Sequence, residues 1–290
     1  MKNLSEAWAA SNQRFEALLR RQYAEHGEPQ RRLFEAMDYS LLAGGKRLRP
    51  FLVYQFCEAC GGKESDADCA ALALEMVHTY SLIHDDLPAM DNDEYRRGKL
   101  TNHKVYGEAM AILAGDGLLT DAFMTLASAP LPPERVVRCV RVLAQNAGPR
   151  GMVGGQVLDM LSEERELTER EVLEIQSRKT GCLIKAACVL GTICGGGNAE
   201  QLAAAERYAD ELGLAFQVRD DVLDRIGDAG KLGKAVGVDD GKNTFVRLWG
   251  LERCERLIAE KTASACDALS AFDDPALLCE LAEALAKRDH

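Results

Sequence analysis

The chain has 290 residues, 46 acidic and 35 basic, and its formal net charge of -11 disfavours general affinity for nucleic acid or for an anionic membrane. With 47% hydrophobic and 28% charged residues it has the apolar content for a sizeable core, which excludes a disordered chain. No compositional shift marks a linker, so residues 1–290 are expected to form a single domain.

The N-terminal stretch MKNLSEAWAASNQRFEALL has no apolar signal core, so the ten cysteines are read as thiols in a reducing cytoplasm. Cys57 and Cys60 form a lone C-x-x-C pair without the further ligands of a structural zinc site, and are expected to be small core thiols. In chain order, helical periodicity covers segments near 4–25, 30–43, 49–60, 66–87, 103–128, 133–147, 150–162, 169–194, 199–225 and 245–288, the last split before Pro275. Between 66 and 87, for example, Leu72, Met76, Tyr80, Ile83 and Leu87 form one buried stripe. Breaks fall at Gly44-Gly45, Gly61-Gly62, Pro130 to Pro133, Gly195 to Gly197 and Gly227 to Gly241. Sustained strand-type alternation is missing. The apolar stretch 186–194 is too short to span a bilayer, so no transmembrane segment is expected. The expected fold class is all-α, a helical bundle with functional groups projecting inward.

The acids are unevenly placed. DDLPAMDND at 85–93 follows the 66–87 helix, whose last turn faces the negative end of the helix macrodipole, an unfavourable place for carboxylates that bound cations would offset. On an ideal helix Asp91 lies about 240° from Asp85, so only a break near Pro88 could bring both to one metal. DDVLD at 220–224 puts Asp220 and Asp224 on one face, where like charges repel. Either cluster alone could be solvated surface; two on separate helices, each interrupting an apolar pattern, point to oxygen ligands for magnesium. Magnesium typically completes its shell with water and substrate phosphates, which makes a diphosphate the natural substrate. GGKRLRP at 44–50 and the Arg96-Arg97 pair supply cations suited to phosphate oxygens.

The ordered set GGKRLRP, HTYSLIHDDLPAMDNDEYRRG, GEAMAILAGDGLL, GGQVLD, KTG, FQVRDDVLD, LGK and GKNTF resembles the trans-isoprenyl diphosphate synthases over nearly the whole chain, and most of all their short-chain bacterial farnesyl-type members. The resemblance implies an isoprenoid synthase-type bundle around a central active-site cavity, three magnesium ions and a cytoplasmic homodimer. It implies that Lys46, Arg49, His78 and Arg97 hold the diphosphate of isopentenyl diphosphate, while Arg96, Lys179, Lys234 and Lys242 serve the allylic diphosphate. Asp85, Asp91 and Asp220 would bind magnesium most directly, with Asp86, Asp221 and Asp224 completing or orienting those shells. Thr180 and Gln217 would place dipoles near the allylic cation. The family often has Pro where this chain has Leu100 and Ala235, and its loop 237–243 is slightly short.

The implied activity is condensation of isopentenyl diphosphate with dimethylallyl and geranyl diphosphate to farnesyl diphosphate, with geranylgeranyl diphosphate synthesis as the alternative. An aromatic residue at Tyr80, next to Ser81 and five positions before Asp85, goes in the family with a fifteen-carbon product, although helical geometry alone places Ser81 nearer the face of Asp85. A class I terpene cyclase would need no second diphosphate site and usually carries a different second metal motif. A catalytically silent modulatory subunit could lose acids that are all present here.

Overall fold

Two helices carry apolar residues on nearly every side and the others are arranged round them. In a computed structural model, residues 3–23, 29–162, 165–226 and 244–288 are described. The buried helices are α4 (Glu64–Asp85) and α10 (Cys182–Gly195), and a helix apolar all round has to be interior. Before α4 come α1 (Leu4–Gln22), α2 (Arg31–Leu41) and α3 (Leu48–Ala59). Between α4 and α10 lie α5 (Asn102–Tyr106), α6 (Glu108–Ala127), α7 (Pro133–Ala147), α8 (Met152–Met160) and α9 (Glu169–Gln176). The chain ends with α11 (Ala199–Ile226), α12 (Phe245–Ala268) and α13 (Ala276–Lys287).

Helix α4 packs on α3, α6 and α10, and α11 packs on α10 and α12. Gly191 sets the closeness of α3 and α10, because a Cβ there would meet the Val53 carbonyl oxygen at 2.3 Å. The main core is built on α3, α4 and α10; a smaller cluster of Val172, Ile175, Val218, Val222, Phe245 and Ile258 joins α9, α11 and α12. Val218 and Val222 belong to the stretch that carries the second acidic motif, so that motif is mounted on buried ground.

The all-α expectation holds, with local departures. A two-stranded antiparallel hairpin, β1 (Tyr95–Arg96) and β2 (Lys99–Leu100), follows the first acidic motif. The expected helix 103–128 is divided at Gly107, whose φ of 89° is left-handed and ends α5. The expected helix 169–194 contains a π-helical turn, Ser177–Gly181, between α9 and α10. Helix α6 is long and apolar enough to cross a membrane by length and composition alone, a test that a packed core helix also passes, and its Ala111, Ala114, Leu118 and Ala122 are packed into the protein. The reading of every cysteine as a thiol also needs correction, since Cys266 and Cys279 form a disulfide between α12 and α13. Their Cα atoms are 5.1 Å apart, within the range that a disulfide bridges. Cys57 is a buried thiol and Cys60 a half-buried one, both pushed up in pKa mainly by burial.

Candidate active site

Helix α4 stops at Asp85 because Pro88 cannot continue the backbone ladder. The chain then turns back: Leu87 N–H donates to the His84 carbonyl at 3.2 Å, Asn92 takes a left-handed φ of 54°, and Asp91 N–H donates to the Asp85 carbonyl at 2.8 Å. The break near Pro88 thus returns Asp91 to Asp85. Burial raises the Asp85 pKa to about 6; Asp91 and Asp86 push the same way, against Lys179 and Arg96. Asp86 is buried and its pKa is raised by that burial, with Arg96 opposing through Nε at 2.7 Å and Nη2 at 2.6 Å from Oδ1.

The hairpin places the two arginines. Arg96 pairs with Lys99 in its ladder, and Arg97 sits at the turn with a φ of 53°. The Arg97 guanidinium lies against Gly45, where an added Cβ would come within 2.9 Å of it, and donates to the Gly44 carbonyl. Gly45 thus leaves room for Arg97, whereas Gly44 serves the turn through its positive φ of 84°. Arg49 is half-buried, its buried Nε has no hydrogen-bond partner among the described residues, and burial lowers its pKa. His78 is held neutral by burial first and then by Arg49 and Arg97. Lys46, lowered by burial and then by Arg288, is fixed through its carbonyl, which accepts from Trp8 Nε1 at 3.0 Å. Arg47 serves structure instead: it is 3% exposed and pairs with Glu75 at 2.6 Å and Glu16 at 2.9 Å.

Lys179 lies in the π-helical turn, with Nζ 2.6 Å from Asp159 Oδ2. Gly155 permits that approach, since a Cβ there would meet Lys179 N at 2.3 Å. On α11, Asp220 accepts from Arg288 Nη2 at 2.5 Å, Asp221 accepts from the Phe245 N–H at 2.7 Å, and Asp224 is buried. Asp221 thereby fixes the first turn of α12. Lys234 and Lys242 lie outside the described residues.

One cavity of about 430 Å³ gathers Arg49, His78, Asp85, Lys179 and Thr180 with Tyr80, Ser81, His84 and Leu183. Gln217 is not among its walls; it lines a separate cavity of about 550 Å³ with Lys185 and Asp210. The cavity therefore sets the cations Arg49 and Lys179 in one space with the carboxylate of Asp85. A metal-bound anion satisfies both.

Among the described residues, no three His, Cys, Asp or Glu side chains form a cage able to hold a metal unaided. Magnesium fits such a site: it uses one or two carboxylates per ion and leaves the rest of its octahedron to water and phosphate. The raised Asp85 pKa gives the same indication, because a nearby cation would favour its charged form.

The sequence model described as Polyprenyl synthetase matches residues 30–271. The chain belongs to the polyprenyl synthetase family. It is 46% identical to the farnesyl diphosphate synthase of Geobacillus stearothermophilus over 274 residues, 92% of each chain. It is 51% identical to geranylgeranyl pyrophosphate synthase 3 of Arabidopsis thaliana over 247 residues, 82% of this chain and 69% of the relative. Among solved structures, an FPP/GFPP synthase of Zymomonas mobilis superposes with a TM-score of 0.88 at 35% identity, covering 98% of both chains.

Several groups of this polyprenyl synthetase site escaped the sequence reading. Asp159, the partner of Lys179, was available in GGQVLD, because its helix leads toward the KTG segment. Val153, Val157 and Met160 of α8 join the cavity wall, and only the apolar stripe of that helix hints at it. Arg288 stands 68 residues from Asp220, so no local pattern could have joined them.

Proposed function

We propose that this protein condenses isopentenyl diphosphate with dimethylallyl and then geranyl diphosphate, releasing pyrophosphate and farnesyl diphosphate. The observation that carries the reading is the cavity in which half-buried Arg49 and His78 and the acid Asp85 meet Lys179, Thr180 and apolar walls. In this reading Arg49, Arg97, Lys46 and neutral His78 hold isopentenyl diphosphate; Arg96 and Lys179 hold the allylic diphosphate, with Lys234 and Lys242 as further cations.

Asp85, Asp91 and Asp220 bind three magnesium ions, while Asp86, Asp221 and Asp224 orient those ligands. Bound magnesium supplies charge neutralisation that lets the allylic carbon–oxygen bond ionise. The chain's contribution is to anchor both diphosphates, to enclose the allylic cation beside the Thr180 hydroxyl dipole, and to exclude water with Leu183 and the α8 side chains. The isopentenyl double bond forms the new carbon–carbon bond, and the departing pyrophosphate takes the proton whose loss restores an alkene. No covalent protein intermediate is required. Gln217, in the neighbouring cavity, is assigned to the same work only through the family pattern.

A fifteen-carbon product is favoured over a twenty-carbon one by Tyr80, which lines the cavity. The reading includes a cytoplasmic enzyme, supported by eight free thiols. It also includes a homodimer, supported by the apolar face of α6, where Ile112, Leu113 and Met124 are 44%, 52% and 69% exposed. Asp85→Asn and Asp220→Asn each test the site. Turnover should fall by orders of magnitude with the circular dichroism of the helices unchanged, and undiminished turnover in either variant would remove that aspartate from the mechanism.

A further inference from the structure

Gly115 stands inside α6, where alanine would be the better helix former, so its place there asks for a reason. The reason is His84. A Cβ on Gly115 would lie 2.1 Å from His84 Nε2 and 2.5 Å from Cδ2, so the imidazole occupies the space that a side chain would fill. Its Nε2 is 3.1 Å from the Ile112 carbonyl, which can only accept, so that nitrogen carries the proton. Asp116 Oδ1 is 3.9 Å from the same atom. On its other side the ring meets Tyr80 edge to face, with centroids 5.7 Å apart, and both residues line the 430 Å³ cavity.

We propose that His84, seated on α6 by Gly115, is a second specificity-determining side chain for product length, acting with Tyr80 as one wall of the prenyl pocket. The inference rests on the synthase reading above and deepens it. The imidazole is wedged between α6 and the cavity, so anything that fills its seat drives it toward Tyr80 and shortens the pocket. Gly115 touches no substrate; it acts through the position of His84.

The test is the ratio of ten-, fifteen- and twenty-carbon products formed from dimethylallyl diphosphate and excess labelled isopentenyl diphosphate. Gly115→Ala should raise the ten-carbon share by roughly tenfold, the scale of one methylene in an apolar pocket. His84→Ala should instead raise the twenty-carbon share. Adding Gly115→Ala to His84→Ala should change nothing further, because the side chain through which it acts is gone. If Gly115→Ala does not fold, His84→Ala and His84→Phe replace it and should shift the products in opposite directions.

An unmoved ratio in Gly115→Ala, an effect of Gly115→Ala that persists without His84, or equal shifts in the two His84 variants overturns the inference alone. Wild-type protein that makes no prenyl product from any starter overturns the synthase reading, and the inference with it.

Discussion

Asp85 is placed against its own preference. It is half-buried beside Asp86 and Asp91, and the folded chain raises its pKa from 3.8 to about 6. Between those values the folded state holds a proton that the unfolded state has released, so this contribution to stability is full at low pH and is lost as pH rises through about 6. At 1.36 kcal/mol per pKa unit, the charged side chain costs the metal-free fold at most about 3 kcal/mol. Asp85→Asn removes that cost. Without magnesium, the variant should gain in melting temperature on the wild type as pH rises from about 4 to 6. Saturating magnesium should narrow the gap by stabilising only the wild type. A gap that shrinks with rising pH in metal-free buffer would contradict the assignment.

The cations divide by partner. Arg97 belongs to the Gly45 and Arg49 side of the site, whereas Lys179 acts on Asp85 from the π-helical turn. Losing one charged hydrogen bond to phosphate costs roughly 1.5–3 kcal/mol, about ten- to a hundredfold in binding. Arg97→Ala should therefore raise KM for isopentenyl diphosphate more than for the allylic substrate, and Lys179→Ala should do the reverse. Saturation curves for each substrate decide it, and equal effects would mean that the division is wrong. GGKRLRP and Arg96-Arg97 were legible in the sequence as cations suited to phosphate, whereas the division of their roles came only from the family resemblance. The structural role of Arg47 was not legible: the same GGKRLRP offers it as a cation, and only the fold turns it onto Glu75 and Glu16.

At the scale of the element, α4 carries Asp85, the proposed metal ligand, at its end and Tyr80, the proposed pocket floor, five residues earlier, about 7.5 Å along the axis. Tyr80 is buried, lines the cavity, and has its hydroxyl pKa pushed up to about 12 by burial and by Asp85. Tyr80→Ala should lengthen the main product to twenty carbons or more, and Ser81→Phe should shorten it. Fifteen-carbon product alone from an active Tyr80→Ala would place the floor elsewhere.

Helix α4 itself was legible from its buried stripe. The π-helical turn that presents Lys179 was not, because its SRKTG segment carries no apolar residue and a single widened turn leaves no mark on periodicity. The hairpin that aims Arg96 and Arg97 was hidden for a different reason: strands of two residues are too short to alternate.

At the scale of the whole molecule, the all-helical bundle was legible because nearly every segment repeats its apolar residues at helical spacing, whereas contacts between distant residues were not. Arg288 on Asp220 and the Cys266–Cys279 disulfide both depend on where α13 docks. The exposed apolar residues of α6 also belong to this scale. If a second copy covers it, Leu113→Glu combined with Met124→Glu should halve the mass in solution, from twice 31.7 kDa to one chain, as read by light scattering after gel filtration. A wild type that runs as a monomer at micromolar concentration would contradict the dimer.

The proposed function requires one cavity to join two diphosphates through a metal. Incubation of the purified chain with labelled isopentenyl diphosphate and each allylic starter, followed by sizing of the products with and without chelator, tests it most directly. Farnesyl diphosphate and pyrophosphate are expected from dimethylallyl or geranyl diphosphate, abolished by chelator and restored by magnesium. Full turnover in excess chelator, or no carbon–carbon bond formed with any starter, would contradict it.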